Sequence, residues 1–254
     1  MLIHMKTIKD YISSISLLLL FFISWEIAAK IVNKKYILPS PTQILSKLWE
    51  LKSELFLNHL PATLLIIITG LLISILIGVG LSIWMYLNKS VEKAFYPLLI
   101  ASQTIPIIAL APIFVLWFGY SIWSKVVVTI LITFFPITVN TFDGLRSTKK
   151  ELVELLRTMG ASKKDIFLKV SIPSSLPYFY SGLKVAVTLS VIGAAIGEWL
   201  GAQAGLGYFS RRMMTQFDGA GVFAPIVLLS LVGILLFLLI VFLEKIALKW
   251  RKTE

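Results

Sequence analysis

Residues 62–87 read ATLLIIITGLLISILIGVGLSIWMYL, a run without one charged side chain. As an α-helix it is about 39 Å long, at about 1.5 Å per residue. The hydrocarbon core of a bilayer is about 30 Å thick. Backbone amides find no water in lipid, so such a run crosses as a helix that satisfies its own hydrogen bonds. Tyr11–Val32, Ala94–Phe118, Ile122–Asn140, Tyr178–Leu200 and Val222–Leu243 are of the same kind. Each approaches or exceeds the roughly 20 residues that a crossing needs. The expected fold is all-α and integral to the membrane, with about six transmembrane helices in one domain over residues 1–254.

The composition agrees with this reading. The chain is 57% hydrophobic and 15% charged, against about 45–50% and about 25% for a soluble domain. Lys6 and Lys9 precede the first apolar run, which is too long for the core of a signal peptide and lacks a small-residue cleavage site. It is expected to stay as a span. The third run holds Pro97, Pro106 and Pro112 and is expected to be kinked or broken; the fourth holds Pro136.

The net charge of +11 is sorted between loops. With the N-terminus inside, the cytoplasmic pieces carry 15 Lys and Arg and the outer pieces 7, so both termini are expected to be cytoplasmic. Lys30 and Lys184 lie within runs and are expected to snorkel. Topology explains the positive charge, and nucleic acid is not an expected partner. The chain has no Cys, and His4 and His59 stand apart without metal-ligand spacing. Trp25, Trp84, Trp123 and Trp199 fall near span ends, where indoles anchor at the interface.

Two connections exceed a turn. Residues 33–61 open with Leu38-Pro39-Ser40-Pro41 and read as an extended segment followed by an interfacial helix. The cytoplasmic connection, about 142–177, is richer. Thr148 and Glu151 have the spacing of a capping box. Leu152, Leu155, Leu156 and Met159 form one helical face. Gly160 stands where a left-handed residue ends a helix, Ser162 offers a second N-cap, and Pro173 and Pro177 stop the second helix. The pair either rests on the membrane surface or docks a cytoplasmic partner.

Glu154-Leu155-Leu156, three residues, Gly160, nine residues and Val170-Ser171-Ile172-Pro173 resemble the EAA loop of ATP-binding-cassette importer permeases. That pattern is Glu-Ala-Ala, three residues, Gly, nine residues, Ile-x-Leu-Pro. The spacing matches throughout; Leu155, Leu156, Val170 and Ile172 depart from it but stay apolar. Gln103-Thr104-Ile105-Pro106, Ala111-Pro112, Trp117-Phe118-Gly119 and Gly197-Glu198-Trp199-Leu200-Gly201 resemble the branch that imports nitrate, sulfonates, taurine and thiamine-pyrimidine precursors. The resemblance implies a MetI-like permease in the cell membrane, working as a homodimer. It implies two cytoplasmic ATPase subunits using ATP and Mg, and an external solute-binding protein. Glu154, Leu155, Leu156, Gly160, Ala161, Ser162 and Pro173 would then couple to the ATPase. The expected substrate is a hydroxymethylpyrimidine-like precursor of thiamine, with sulfonate, taurine, nitrate and riboflavin open.

The chain brings no chemistry of its own to this scheme. None of its 15 Gly is followed by Lys, so a Walker A motif is missing, and no cofactor is expected on it. Gln103, Thr104, Asn140 and Glu198 are polar groups at membrane depth and are the pathway candidates. Each has a plainer reading, as interhelical bonding for the first three and, for Glu198, as an interfacial acid paired with Arg211 or Arg212. Gly193, Gly197 and Gly201 recur every four residues as a packing stripe, within the subunit or at a dimer interface. A secondary transporter or channel acting alone is the alternative. It would usually show inverted repeats or several embedded ionisable groups.

Overall fold

The computed structural model describes residues 8–250, with side chains from residue 12. His4, Lys6, Arg251 and Lys252 lie outside the described residues, as do the side chains of Lys9 and Tyr11. The first run is helix α1, Ile8–Val32, followed after an extended Pro segment by α2, Pro41–Glu50. Ser40 caps α2 in a complete capping box: the Gln43 amide donates to its hydroxyl, and its own amide donates to the Gln43 side chain.

The second span is longer than the apolar run suggests. Helix α3 covers Lys52–Leu87 and passes through a π turn at Leu55–His59. Pro61 lies two residues beyond that turn. Proline has no N–H and its ring collides with the carbonyl four residues back; one wide turn accommodates both without ending the helix.

The third run is broken into α4, Lys89–Ser102, and α5, Ile107–Phe118, which meet at 101° around residues 103–106. A bend of this size fits a broken span or a hairpin that re-enters on one side. The packing of α3 on α6, Ile122–Arg146, decides between them. Ser74 bonds Thr133 at 2.6 Å and Ser82 donates to the Thr138 carbonyl at 2.8 Å, while Gly70 sits against Thr129 and Gly78 against Ile137 and Thr138. The two numberings rise together, so α3 and α6 are parallel. The chain must return across the membrane between them, and α4 with α5 makes the crossing. A membrane-impermeant maleimide should therefore label cysteines placed at Ser90 and Ser121 from opposite sides. Labelling of both from one side would turn the pair into a re-entrant loop.

The core is a sandwich about α6. Helix α8, Lys163–Gly201, runs antiparallel to α6, with Gly144 against Ser175 at one end and Gly197 against Lys125 at the other. Helix α10, Gly219–Ala247, closes the bundle and is antiparallel to α8, with Lys184 opposite Glu244 and Val191 opposite Gly233. Between α6 and α8 lies the short α7, Lys150–Thr158; between α8 and α10 lies α9, Leu206–Thr215. Ile67, Val126, Ile137, Ala186, Ala194 and Phe209 are among the buried centre.

Inner ends are joined by Arg146–Glu92 at 2.8 Å and Tyr86–Ser171 at 2.9 Å. Outer ends are joined by Lys47–Asp218 at 3.2 Å and Arg212–Glu54 at 3.4 Å. Burial works against the Lys47 ammonium, but bonds to Glu50 and Asp218 outweigh it and hold its pKa above the usual lysine value. Helix α1 touches the rest mainly at its outer end, where Trp25 donates to the Pro39 carbonyl and Glu26 accepts from Thr42. Its exposed Leu17 and Leu20 suit lipid. Helices α1 and α10 begin and end, respectively, on the side of the 147–162 connection, the side that the charge bias makes cytoplasmic.

Lys184 and Lys30, the two lysines within runs, each meet a carboxylate. Lys184 pairs with Glu244 of α10 at 2.9 Å, so its charge has a partner on the neighbouring helix. Lys30 meets Glu26 one turn back at 3.4 Å.

Candidate functional site

The cytoplasmic connection starts where α6 ends. The expected capping box does not form. Thr148 turns back to the Leu145 carbonyl, helping to close α6, and Lys149 takes the N-cap of α7 without a side-chain bond. The apolar face of α7 is nonetheless built as the spacing predicts. It is also uncovered: Leu152, Leu155 and Met159 are 42%, 57% and 74% exposed, and no residue of α7 is buried. Glu154 points to solvent and Leu156 is half-buried.

Gly160 has φ +86°. Its amide bonds the Arg157 carbonyl and that of Ala161 bonds the Leu156 carbonyl, the two bonds of a Schellman motif. Ser162 then accepts from the Asp165 amide at 3.1 Å and starts α8. The second helix is not stopped by Pro173 and Pro177. A π turn at Phe167–Ser171 absorbs Pro173, as the earlier one absorbs Pro61, and the helix continues to Gly201. Four residues, Met159 to Ser162, thus join α7 to one helix of 39 residues that is long and apolar enough to cross the membrane.

The pathway candidates separate. Gln103 and Thr104 form the corner between α4 and α5, with exposed side chains; the Thr104 hydroxyl bonds the Ala101 carbonyl at 2.7 Å. Just beyond, Ile108 borders an apolar groove of about 590 Å³ against Thr188, Ile192, Trp199, Ile226 and Ser230. No charged side chain lines it. Asn140 bonds the Pro136 carbonyl of its own helix at 2.8 Å. Glu198 is fully buried, and its expected arginine partners look elsewhere: Arg211 donates to the Trp199 carbonyl and Arg212 reaches Glu54. The glycine stripe faces the same chain: a Cβ would lie 2.9 Å from Thr129 Cα at Gly193, 2.9 Å from Lys125 Cα at Gly197 and 2.8 Å from Val115 at Gly201.

Two features had no sequence signal strong enough to mark them. His59, Thr63 and Lys125 gather with Glu198 at the outer end, all buried. Gly182 lies against Pro136 and extends the small-residue stripe downward through Ala186 and Ser190.

Residues 70–247 match the family described as binding-protein-dependent transport system inner membrane component. Over 236 residues the chain is 62% identical to the formylaminopyrimidine transport permease protein ThiX of Halalkalibacterium halodurans, covering 93% of this chain and 94% of that one. It is 33% identical over 238 residues to the riboflavin transport system permease protein RibX of Chloroflexus aurantiacus, covering 93% and 89%. Among solved structures, a chain of the MetNI methionine ABC transporter in inward-facing conformations matches with TM-score 0.63 and 20% identity, over 73% of this chain and 93% of that one.

Proposed function

The chain belongs to the family of binding-protein-dependent transport system inner membrane components, and from that premise we propose that two copies form the path of an ATP-driven importer for an aminopyrimidine of the thiamine-precursor class. The observation that carries this reading is α7. A helix closed at its C-terminal end by a Schellman motif, with an uncovered apolar face and tied through Gly160 to a helix that crosses the whole membrane, fits a docked ATPase subunit. Glu154, Leu155, Leu156, Ala161, Ser162 and Pro173 complete that coupling element. An ATP-driven motion at α7 would travel along α8 to the outer end.

The exposed corner at Gln103 and Thr104 supports a second copy. Irregular backbone at membrane depth is tolerated only where protein or water covers it, and in one chain this corner is exposed. Two corners facing each other across a two-fold axis would enclose a wet path. The groove beside Ile108 supports the substrate class, since an indole and hydroxyls without charge suit a neutral heteroaromatic ring better than a sulfonate or nitrate. The 62% identity to a formylaminopyrimidine permease, against 33% to a riboflavin permease, points the same way. An external binding protein would deliver the solute.

The test uses the missing cysteines. One Cys at Ser162, in the complex solubilised gently from its host, should crosslink to an ATPase subunit, and vesicles holding that complex should accumulate formylaminopyrimidine only with ATP and binding protein. A chain that purifies alone and transports without ATP would establish the secondary-transporter reading instead.

A further inference from the structure

Three side chains from two spanning helices converge on one short stretch at the outer face. The Gly205 amide donates to His59 Nδ1 at 3.1 Å, the Leu206 amide to Thr63 Oγ1 at 2.8 Å and the Gly207 amide to Glu198 Oε2 at 2.6 Å. These are the N-cap, first and second amides of α9, donors that a helix cannot satisfy from within. Helices are usually capped by a neighbouring Ser, Thr, Asp or Asn. Here every acceptor is remote: His59 and Thr63 belong to α3, and Glu198 to α8. All three are at least nine-tenths buried.

The backbone is shaped for this. Gly205 has φ +123°, and a Cβ there would overlap the Glu198 carboxylate. At Gly207 a Cβ would meet the Ala195 carbonyl at 2.8 Å. The other Glu198 oxygen, Oε1, has no partner. Lys125 is close by, against Gly197, but its ammonium is held by the Tyr120 and Ser121 carbonyls at 2.8 Å each. A buried acid is expensive at this depth, and a local cap would hold α9 to its own turn at less cost. A remote cap adds one property, a rigid tie between α9 and two spanning helices.

We propose that His59, Thr63 and Glu198 form a clasp that locks α9 to the outer ends of α3 and α8, with Glu198 as a positioning residue through which motion of α8 reaches the extracytoplasmic face. Helix α8 then carries motion to both ends: α7 attaches at its inner end and α9 at its outer end. The clasp itself rests on geometry; only the hydrolysis readout below rests on the importer reading.

The experiment compares Glu198→Ala, which removes the acceptor, with Glu198→Gln, which keeps an acceptor oxygen of the same shape, in the purified permease–ATPase complex. Hydrogen exchange over residues 202–210 should be faster by about tenfold in the Ala variant, the consequence of losing one buried acceptor. Hydrolysis stimulated by binding protein should fall by about tenfold while basal hydrolysis stays within about twofold. The Gln variant should restore both. A purely structural role would lower yield and thermal stability without changing the ratio of stimulated to basal hydrolysis, so an unchanged ratio in the Ala variant overturns the proposal. So does a Gln variant that protects the amides yet does not restore stimulated hydrolysis, which would assign the effect to the charge and not to the clasp. Should the Ala complex not survive purification, Thr63→Val removes one acceptor with little change of shape. It must then lower the ratio by about threefold, and a wild-type ratio there overturns the proposal. A wild-type complex without stimulated hydrolysis would strike at the importer reading, and exchange alone would then decide the clasp.

Discussion

Gly160→Pro leaves the spans inserted and uptake at background. Gly160 holds φ +86°, and proline is fixed near −65°, so the two conformations are incompatible. The substitution also deletes the Gly160 amide that bonds the Arg157 carbonyl, half of the Schellman motif. Left-handed strain of about 1–2 kcal/mol and a lost hydrogen bond of about 1 kcal/mol are lower bounds, because the turn cannot form at all. Helix α7 loses its fixed angle to α8, and on the proposed coupling an ATPase docked there would move without moving the membrane helices. Gly160→Ala separates strain from bulk. Nothing lies within 4 Å of a Cβ there, so only the φ strain is felt, and uptake should fall by about 5–30-fold rather than vanish. ATPase co-purification and uptake in vesicles are the measurements, with labelling at Ser90 and Ser121 as the check on insertion. Normal uptake by the proline variant would remove the coupling role from this loop.

The sequence yields this loop well because its signals are local. Gly160 and Ser162 act on backbone within three residues of themselves, and both are found where the spacing puts them. Thr148 misleads because two nearby groups compete for one hydroxyl, and the choice depends on where α6 stops. Pro173 misleads for a related reason. A proline ends a helix unless the preceding turn widens, and nothing in Phe167–Ser171 marks a π turn. The break in the third span is legible from Pro106, but its direction is not. That required the parallel register of α3 on α6, set by Ser74, Ser82, Thr133 and Thr138. Glu198 stands out as an acid at membrane depth, yet the proposed clasp joins it with residues about 140 positions earlier in the chain. The Gly193–Gly201 stripe is visible as a period of four, and its lower half is hidden because Ala186 and Ser190 replace glycine.

That lower half carries the last prediction. Gly182→Leu should prevent α8 from seating on α6. A Cβ at Gly182 would lie 2.5 Å from the Pro136 carbonyl oxygen and 2.8 Å from Asn140 Cβ. The carbonyl is backbone at mid-helix and already accepts from Asn140, so it cannot swing aside as the tip of a long side chain would. Even alanine must push the helices apart, at about 1–3 kcal/mol for an overpacked contact. At about 2–4 °C per kcal/mol for a chain of this size, Gly182→Ala should melt about 2–12 °C lower than the parent, and leucine should leave no assembled bundle to melt. Gly80→Ala is the control. Nothing lies within 4 Å of a Cβ there, and alanine is the better helix former by about 1 kcal/mol, so its melting should not fall. Equal losses at the two positions would mean that glycine serves backbone flexibility in these spans. A loss confined to Gly182 means that it serves contact, with α8 pressed, backbone to backbone, onto the central helix.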